Sequence, residues 1–308
     1  YIAGAGNVGG KLIDQIQQQI SYLQSTLRLQ INIVGIANSR KQLIHPEGID
    51  LSNANGASHW RDQLNAAPTG MIHDFVTAII ENNLRNSIFV DVTAHVAVAD
   101  TYAQLLSKAV SVVACNKIAC SSPYAHYSKL KTLARNYNAA FLFETNVGAS
   151  LPIIGTLNDL IRSGDKVNKI EAVLSGTLNF VFNNFTSTTS FKEVVQRAQE
   201  EGYTEPDPKI DLSGVDVARK ILILARESGF SLELEDIHNK LFLPEEVLNT
   251  SNNQDFYSAI EKNEDHFQNL LKHATEKNAR LKYVAQLENG KASVGLQEIE
   301  SVTGRRPS

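Results

Sequence analysis

The chain opens Tyr1-Ile2-Ala3-Gly4-Ala5-Gly6-Asn7-Val8-Gly9-Gly10-Lys11-Leu12-Ile13, an apolar strand end that runs through G-x-G-x-x-G into a helix. No other stretch restricts the fold as much. Gly4 permits the tight turn, Gly6 lets the main chain approach a pyrophosphate, and Gly9 lets helix and strand pack closely. The helix N-terminus at Asn7 and Val8 presents unpaired N–H groups to the anion. A glycine-rich turn that merely closes a loop is the plainer alternative. Strand, turn and helix in the required order favour dinucleotide binding, and with it a sheet of β-α-β units.

The next 140 or so residues supply such units. Residues 30–37 predict a second strand, reached through a long helix with Ile16, Ile20, Leu23 and Leu27 on one face. Asn38, Ser39 and Arg40, then Lys41, stand at the C-terminal end of that strand, where the adenosine ribose is read. A carboxylate there would select NAD, whereas a 2′-phosphate wants cations and neutral donors. This end favours NADP and leaves NAD open; otherwise Arg40 and Lys41 are solvated loop charges. Strands at 86–93 and 110–115 alternate with helices at 71–83 and 97–108. Ligands bind beyond the carboxyl ends of such strands, which directs Thr93, Asn116 and Lys117 to the cofactor cleft. A loop lysine in water is the bland reading of Lys117. A strand at 139–143 runs into the loop 144–152, the exit from this domain. The expected fold class is α/β, with a Rossmann-type parallel sheet over 1–150. An α+β substrate and dimerisation domain follows over 151–300, and 301–308 stays unassigned.

Composition narrows the function classes. A chain of 308 residues has room for two cores. A net charge of -4 provides no basic field for nucleic acid or an anionic membrane. No apolar run approaches the roughly 20 residues that span a bilayer. The first residues lack the layout of a secretory signal, so a cytoplasmic protein is expected. Cys115 and Cys120, without the histidines of a zinc site, are read as reduced and structural. The histidines are scattered, and no transition-metal site is expected.

In the second half, a helix over 153–163 precedes a strand over 169–174 and the turn Ser175-Gly176-Thr177, which opens another helix. Such a turn offers N–H groups to a carboxylate, or simply caps the helix. A helix at 191–201 leads into E-G-Y-T-E-P-D-P-K-I-D-L-S-G-V-D-V-A-R-K, residues 201–220, whose prolines forbid a regular helix at its start. After Ser213 the pattern becomes an apolar helix that must bury one face. Asp216 and Lys220 are four apart and share a face. An acid and an amine at the mouth of a buried helix can position a polar substrate and pass a proton; a surface ion pair is the alternative. A short helix is expected at 231–238 and an amphipathic stretch at 256–278. Alternating runs at 281–288 and 291–299 flank Asn289-Gly290, which predicts a type I′ hairpin and an antiparallel or mixed sheet.

With these residues laid out, the chain resembles homoserine dehydrogenases, in particular the dehydrogenase portion of bifunctional aspartokinase/homoserine dehydrogenases. The resemblance covers about Tyr1 to Ile299. Its motifs are Gly4-Ala5-Gly6-Asn7-Val8-Gly9, Ala37-Asn38-Ser39, Asn116-Lys117, Thr145-Asn146-Val147-Gly148-Ala149, Leu174-Ser175-Gly176-Thr177, and the string from Gly202 through Lys220. The tail after Glu300 departs from the family pattern. The resemblance implies interconversion of aspartate 4-semialdehyde and homoserine with NADP or NAD. It implies that Lys220 is the acid/base group with Asp216 as its partner, and that Lys117 is a second active-site lysine. Glu205 and Asp211 would hold the substrate ammonium. Gly176 and Thr177 would face its carboxylate. Glu144, Val147, Ala149 and Leu151 would ligate a sodium ion, mostly through main-chain carbonyls. A homodimer or higher homo-oligomer is also expected, through a face or edge of the second domain's sheet. A non-catalytic dinucleotide-binding module and a different NADP-dependent amino acid dehydrogenase are the competing readings.

Overall fold

The computed structural model describes residues 1–51 and 59–300; the unassigned stretch 301–308 lies outside the described residues. The chain divides into two compact units, one from Tyr1 to Pro152 and one that starts at Ile153. Among the described residues, no helix is long and apolar enough to cross a membrane.

The first unit contains β1 (Ile2–Ala3), α1 (Asn7–Ser25), β2 (Gly35–Ala37), β3 (Gln42–Ile44), α2 (Trp60–Ala66), α3 (Ile72–Asn82) and β4 (Ile88–Asp91). It continues with α4 (Val96–Ala99), α5 (Tyr102–Leu106), β5 (Ser111–Ala114), α6 (Ile118–Ser121), α7 (Tyr124–Asn136) and β6 (Phe141–Leu142). The sheet order is β3-β2-β1-β4-β5-β6. All neighbours run parallel except β2 and β3, which are antiparallel. The order reverses at β1, so the switch point lies between β1 and β4, where an open α/β sheet receives its ligand. Ile2, Ile13, Ile36, Leu43, Trp60 and Leu64 form one buried cluster between α1, α2 and the sheet.

Three expectations change here. The strand read at 30–37 keeps sheet pairing only over Gly35–Ala37, with Ile36 and Ala37 beside β1 and all three residues beside β3. An antiparallel edge strand, β3, was not foreseen; it follows directly on the turn at 38–41. The helix read at 97–108 is two helices. His95 caps the first through Ala97 N–H, and the Thr101 hydroxyl bonds Val98 O at 2.7 Å where the chain re-bends.

The second unit contains α8 (Ile153–Arg162), β7 (Lys169–Ala172), α9 (Gly176–Asn184), α10 (Phe191–Glu200), α11 (Pro208–Leu212), α12 (Val215–Glu227) and β8 (His238–Lys240). Then come α13 (Glu245–Leu248), α14 (Asn253–Lys262), α15 (Glu264–Glu276), β9 (Ala279–Glu288) and β10 (Lys291–Glu300). The sheet order is β7-β9-β10-β8; β10 and β8 run parallel and the other pairs antiparallel, so the sheet is mixed. Asn289 and Gly290 both have positive φ, 51° and 75°, as the predicted type I′ turn requires. The helix read at 231–238 is instead a 3-10 turn at Leu234–Asp236 followed by β8. The stretch 256–278 breaks at Asn263, which ends α14 and starts α15.

The helical layer rests on aromatic packing. Phe191 is fully buried, stacks on Phe267 at 4.1 Å and meets the ring of Phe185 edge-on at 5.2 Å. Phe191→Ala is expected to cost about 3–5 kcal/mol through lost burial and a residual cavity. Urea denaturation followed by circular dichroism checks this, with the midpoint moving at unchanged slope.

Candidate active site

The first unit presents a nucleotide half-site. Gly4 has φ of +109°, and a Cβ there would meet Val92 Cγ2 at 2.9 Å, so the turn lies directly against the end of β4. A Cβ on Gly9 would sit 2.0 Å from Gly4 O, the close approach the sequence assigns to it. A Cβ on Gly6 would meet no protein atom within 4 Å. Gly6 therefore faces open space at the N-terminus of the 19-residue α1, which carries no side-chain cap. Asn7 and Val8 are exposed there. This open cradle fits a pyrophosphate on helix N–H groups.

The strand-end residues Asn38 to Lys41 form a tight turn. Asn38 Oδ1 accepts from Arg40 N and Lys41 N, both at 2.8 Å. Lys41 Nζ donates to Ala67 O at 2.7 Å. Ser39 and Arg40 remain exposed. Sequence reading missed Arg61. Its Nη1 donates to Ala5 O at 3.3 Å, and its guanidinium lies 4.4 Å over the Trp60 ring. A Cβ on Gly10 would come within 2.2 Å of Arg61 Nη2, so the second glycine of the Gly-Gly pair makes room for this cation.

Thr93 and Asn116 converge on Asp91, which is fully buried. Asp91 Oδ1 accepts from Thr93 N at 2.7 Å; Oδ2 accepts from the Tyr102 hydroxyl at 2.5 Å and from Asn116 Nδ2 at 3.0 Å. Burial, followed by the charge of Asp91, pushes the Tyr102 hydroxyl far above its ordinary pKa and keeps it a donor. This network joins the C-terminal ends of β4 and β5 and fixes the segment leading to Lys117, the residue that precedes α6. An acid inside the apolar run Ile88-Phe89-Val90-Asp91-Val92 was the available signal for it.

The loop after β6 begins with a 3-10 turn, Glu144–Asn146. Asn146 is buried against the end of β5; with its amide oriented to donate, Nδ2 bonds Ala114 O at 3.1 Å and Cys115 O at 2.9 Å. Val147 is buried, Gly148 and Ala149 both have positive φ, and Leu151 is exposed and donates its N–H to Gly148 O at 3.0 Å. A carboxylate with main-chain carbonyls on a tightly bent loop is a hard-oxygen donor set, suited to an alkali or alkaline-earth ion. A cavity of about 590 Å³ in this unit opens at the other end of the sheet, among Tyr1, Ile31 and Leu84, away from the glycine turn.

In the second unit, several residues expected at the substrate lie close together. Ser175 caps α9 by accepting Leu178 N–H at 3.1 Å, while Gly176 faces open space. The Thr177 hydroxyl lies 2.5 Å from Tyr203 O and 3.2 Å from Asp211 Oδ1. Asp211 Oδ2 accepts Glu205 N–H at 2.9 Å. Glu205 thus meets Asp211 through its main chain, and the residue is exposed. Lys220 Nζ stands 2.6 Å from Asp216 Oδ2 and donates to Leu174 O at 2.8 Å. The lysine ties α12 to the segment that enters the Ser175-Gly176-Thr177 turn. Lys220, Asp216, Asp211, Thr177 and Gly176 therefore belong to one connected cluster.

Burial raises the pKa of the Asp211 carboxyl, and the nearby charge of Asp216 adds to this against the hydrogen bonds from Glu205 and Thr177.

Known proteins match both units. The family described as "Homoserine dehydrogenase, NAD binding domain" matches residues 4–144, and "Homoserine dehydrogenase" matches 152–303. A bifunctional aspartokinase/homoserine dehydrogenase 2 of Zea mays is 39% identical over 289 residues, 93% of this chain and 31% of that protein. The bifunctional enzyme of Haemophilus influenzae is 35% identical over 301 residues, 97% of this chain and 36% of that protein. The chain thus spans about a third of the length of these curated relatives. A Candida auris protein of unknown function superposes with a TM-score of 0.83 at 30% identity, covering 97% of this chain and 83% of that one. A hyperthermophilic archaeal homoserine dehydrogenase solved with NADPH superposes at 0.72 and 23% identity, covering 98% and 82%.

Because its folded pKa is raised, Asp211 contributes stability that is fully present below its unfolded value near 3.8 and is lost as pH rises through the folded value. Thermal melts of wild type and Asp211→Asn across that range are expected to show the wild-type advantage shrinking as pH rises.

Proposed function

The chain belongs to the homoserine dehydrogenase family, and on that premise we propose that it interconverts L-aspartate 4-semialdehyde and L-homoserine with a nicotinamide cofactor. The observation that carries the proposal is the connected cluster of the second unit, centred on the ammonium of Lys220 between Asp216 and Leu174 O. Two of its three donors are directed by those oxygens. The third is the one a substrate oxygen would meet. Lys220 delivers a proton to that oxygen as the aldehyde is reduced and takes it back as the alcohol is oxidised, with Asp216 balancing the charge. When bound, the cofactor supplies or accepts the hydride.

The amino acid end of the substrate needs the opposite complement. Asp211, a half-buried carboxyl bonded by the Glu205 N–H and the Thr177 hydroxyl, would be the anionic partner of the ammonium; the exposed Glu205 shares that task. The open turn at Gly176 and Thr177 receives the carboxylate. Lys117 follows Asn116 of the Asp91 network at the strand end of the first unit, where it would supply a positive charge to the ligand bound there.

The glycine cradle would hold the pyrophosphate, and NADP is the favoured cofactor. Among the described residues no carboxylate stands in the turn 38–41 after β2, Asn38 Oδ1 is committed to its own turn, and Arg40 and Arg61 are exposed residues. An NADPH-bound archaeal relative of the same fold supports this choice. Glu144, with the carbonyls of Val147, Ala149 and Leu151, would hold a sodium ion that stiffens the bent loop.

The test is absorbance at the nicotinamide band with homoserine and NADP. Turnover is expected, and Lys220→Ala is expected to lower kcat by about 10²–10⁴-fold; equal rates would remove the proposed role. Arg40→Ala and Arg61→Ala are each expected to weaken NADP by about 10–100-fold, the size of a charged hydrogen bond, while leaving NAD nearly unchanged. Binding titrations with both cofactors check this, and equal losses for the two would reject a 2′-phosphate contact.

A further inference from the structure

We propose that Tyr283 and Asn239 are positioning residues that latch the joint between the two helices bearing Asp211 and the Asp216–Lys220 pair. The inference rests on the reading of that cluster as the substrate site. Only Ser213 and Gly214 separate α11 from α12. Gly214 is left-handed, with φ 74° and ψ 1°, so the chain turns sharply there. Two side chains reach this joint from the sheet. The Tyr283 hydroxyl donates to Asn239 Oδ1 at 2.9 Å, and Asn239 Nδ2 donates to Ser213 O at 2.9 Å. A Cβ on Gly214 would lie 1.9 Å from the Tyr283 oxygen and 3.3 Å from Asn239 Oδ1. The hydroxyl is therefore seated on the bare Cα of the joint.

Register explains why these two residues meet. Tyr283 on β9 pairs with Leu296 of β10, and Asn239 on β8 pairs with Val294 of the same strand. Leu296 and Val294 are two apart, so all four residues share one face of the sheet. Tyr283 is 1% exposed, and its ring meets Phe242 edge-on at 5.9 Å. Burial raises its hydroxyl to about 12, so it remains a donor at neutral pH.

Neither residue belongs to the cluster that holds Lys220, and both act through the direction of α12. Lys220 lies six residues beyond Gly214, about 9 Å along a helix. A tilt of about 10° at the joint would move Lys220 by roughly 1.5 Å, and a misplacement of about 1 Å can cost on the order of 10²-fold in rate. A tyrosine that only satisfied its own hydroxyl would have no such leverage.

The experiment compares wild type with Tyr283→Phe, which keeps the ring and deletes the oxygen; Asn239→Ala serves if that variant fails to fold. Expected are a fall in kcat of about tenfold, a rise in the KM for homoserine, and a change in the pH profile of kcat. NADPH affinity, measured by fluorescence titration, stays the same. Amide exchange at Val215 to Val217 quickens by about tenfold. A lower Tm with wild-type kcat, KM, pH profile and exchange would overturn the latch. Absence of turnover in the wild type would count against the proposed reaction instead, and the exchange rates at the joint would then decide the latch alone.

Discussion

The ammonium of Lys220, whose side chain is 18% exposed, is largely withdrawn from water, and that cost organises the second unit around it. Desolvation of a cation is tolerable only where oxygens replace the lost hydration, and Asp216 and Leu174 O do so at 2.6 and 2.8 Å. The two contacts come from different elements. One is a turn away on the same helix, and the other follows β7 just ahead of the Ser175 turn. Holding the charge therefore also holds α12 against the entry to α9, and Thr177 carries the connection on to Asp211. A surface pair at the same spacing would contribute a few tenths of a kcal/mol and would organise nothing.

The first unit solves a related problem with the opposite sign. Asp91 is an anion without solvent, and three donors from β4, α5 and the end of β5 surround it. Its role is to register strand ends. Thr93 and Asn116 each have a direct bond to one carboxylate, so the loops that receive a dinucleotide are set by a single buried group rather than by loop sequence.

Much of this was legible because the responsible forces are local. The glycine turn, the strand ends and the Asn289-Gly290 hairpin are specified by backbone sterics within a few residues, and the Asp216–Lys220 pair by helical spacing. What escaped notice depends on contacts between distant positions. Arg61 meets Ala5 across 56 positions and Tyr283 meets Asn239 across 44. No periodicity encodes such meetings. β8 was misread for a related reason: His238-Asn239-Lys240 has poor intrinsic strand preference, and its pairing with β10 is conferred by the sheet it joins.

Gly10 carries a conflict between helix preference and room for a neighbouring cation. Inside a helix glycine costs about 1 kcal/mol relative to alanine, so replacement by alanine would be favoured if helix formation were the sole criterion. The berth it leaves for the Arg61 guanidinium weighs the other way. Drift toward a sturdier α1 would therefore evict a cation from the rim of the glycine cradle without altering a single charged residue. The charge beside that turn is open to change from a position that bears no side chain at all.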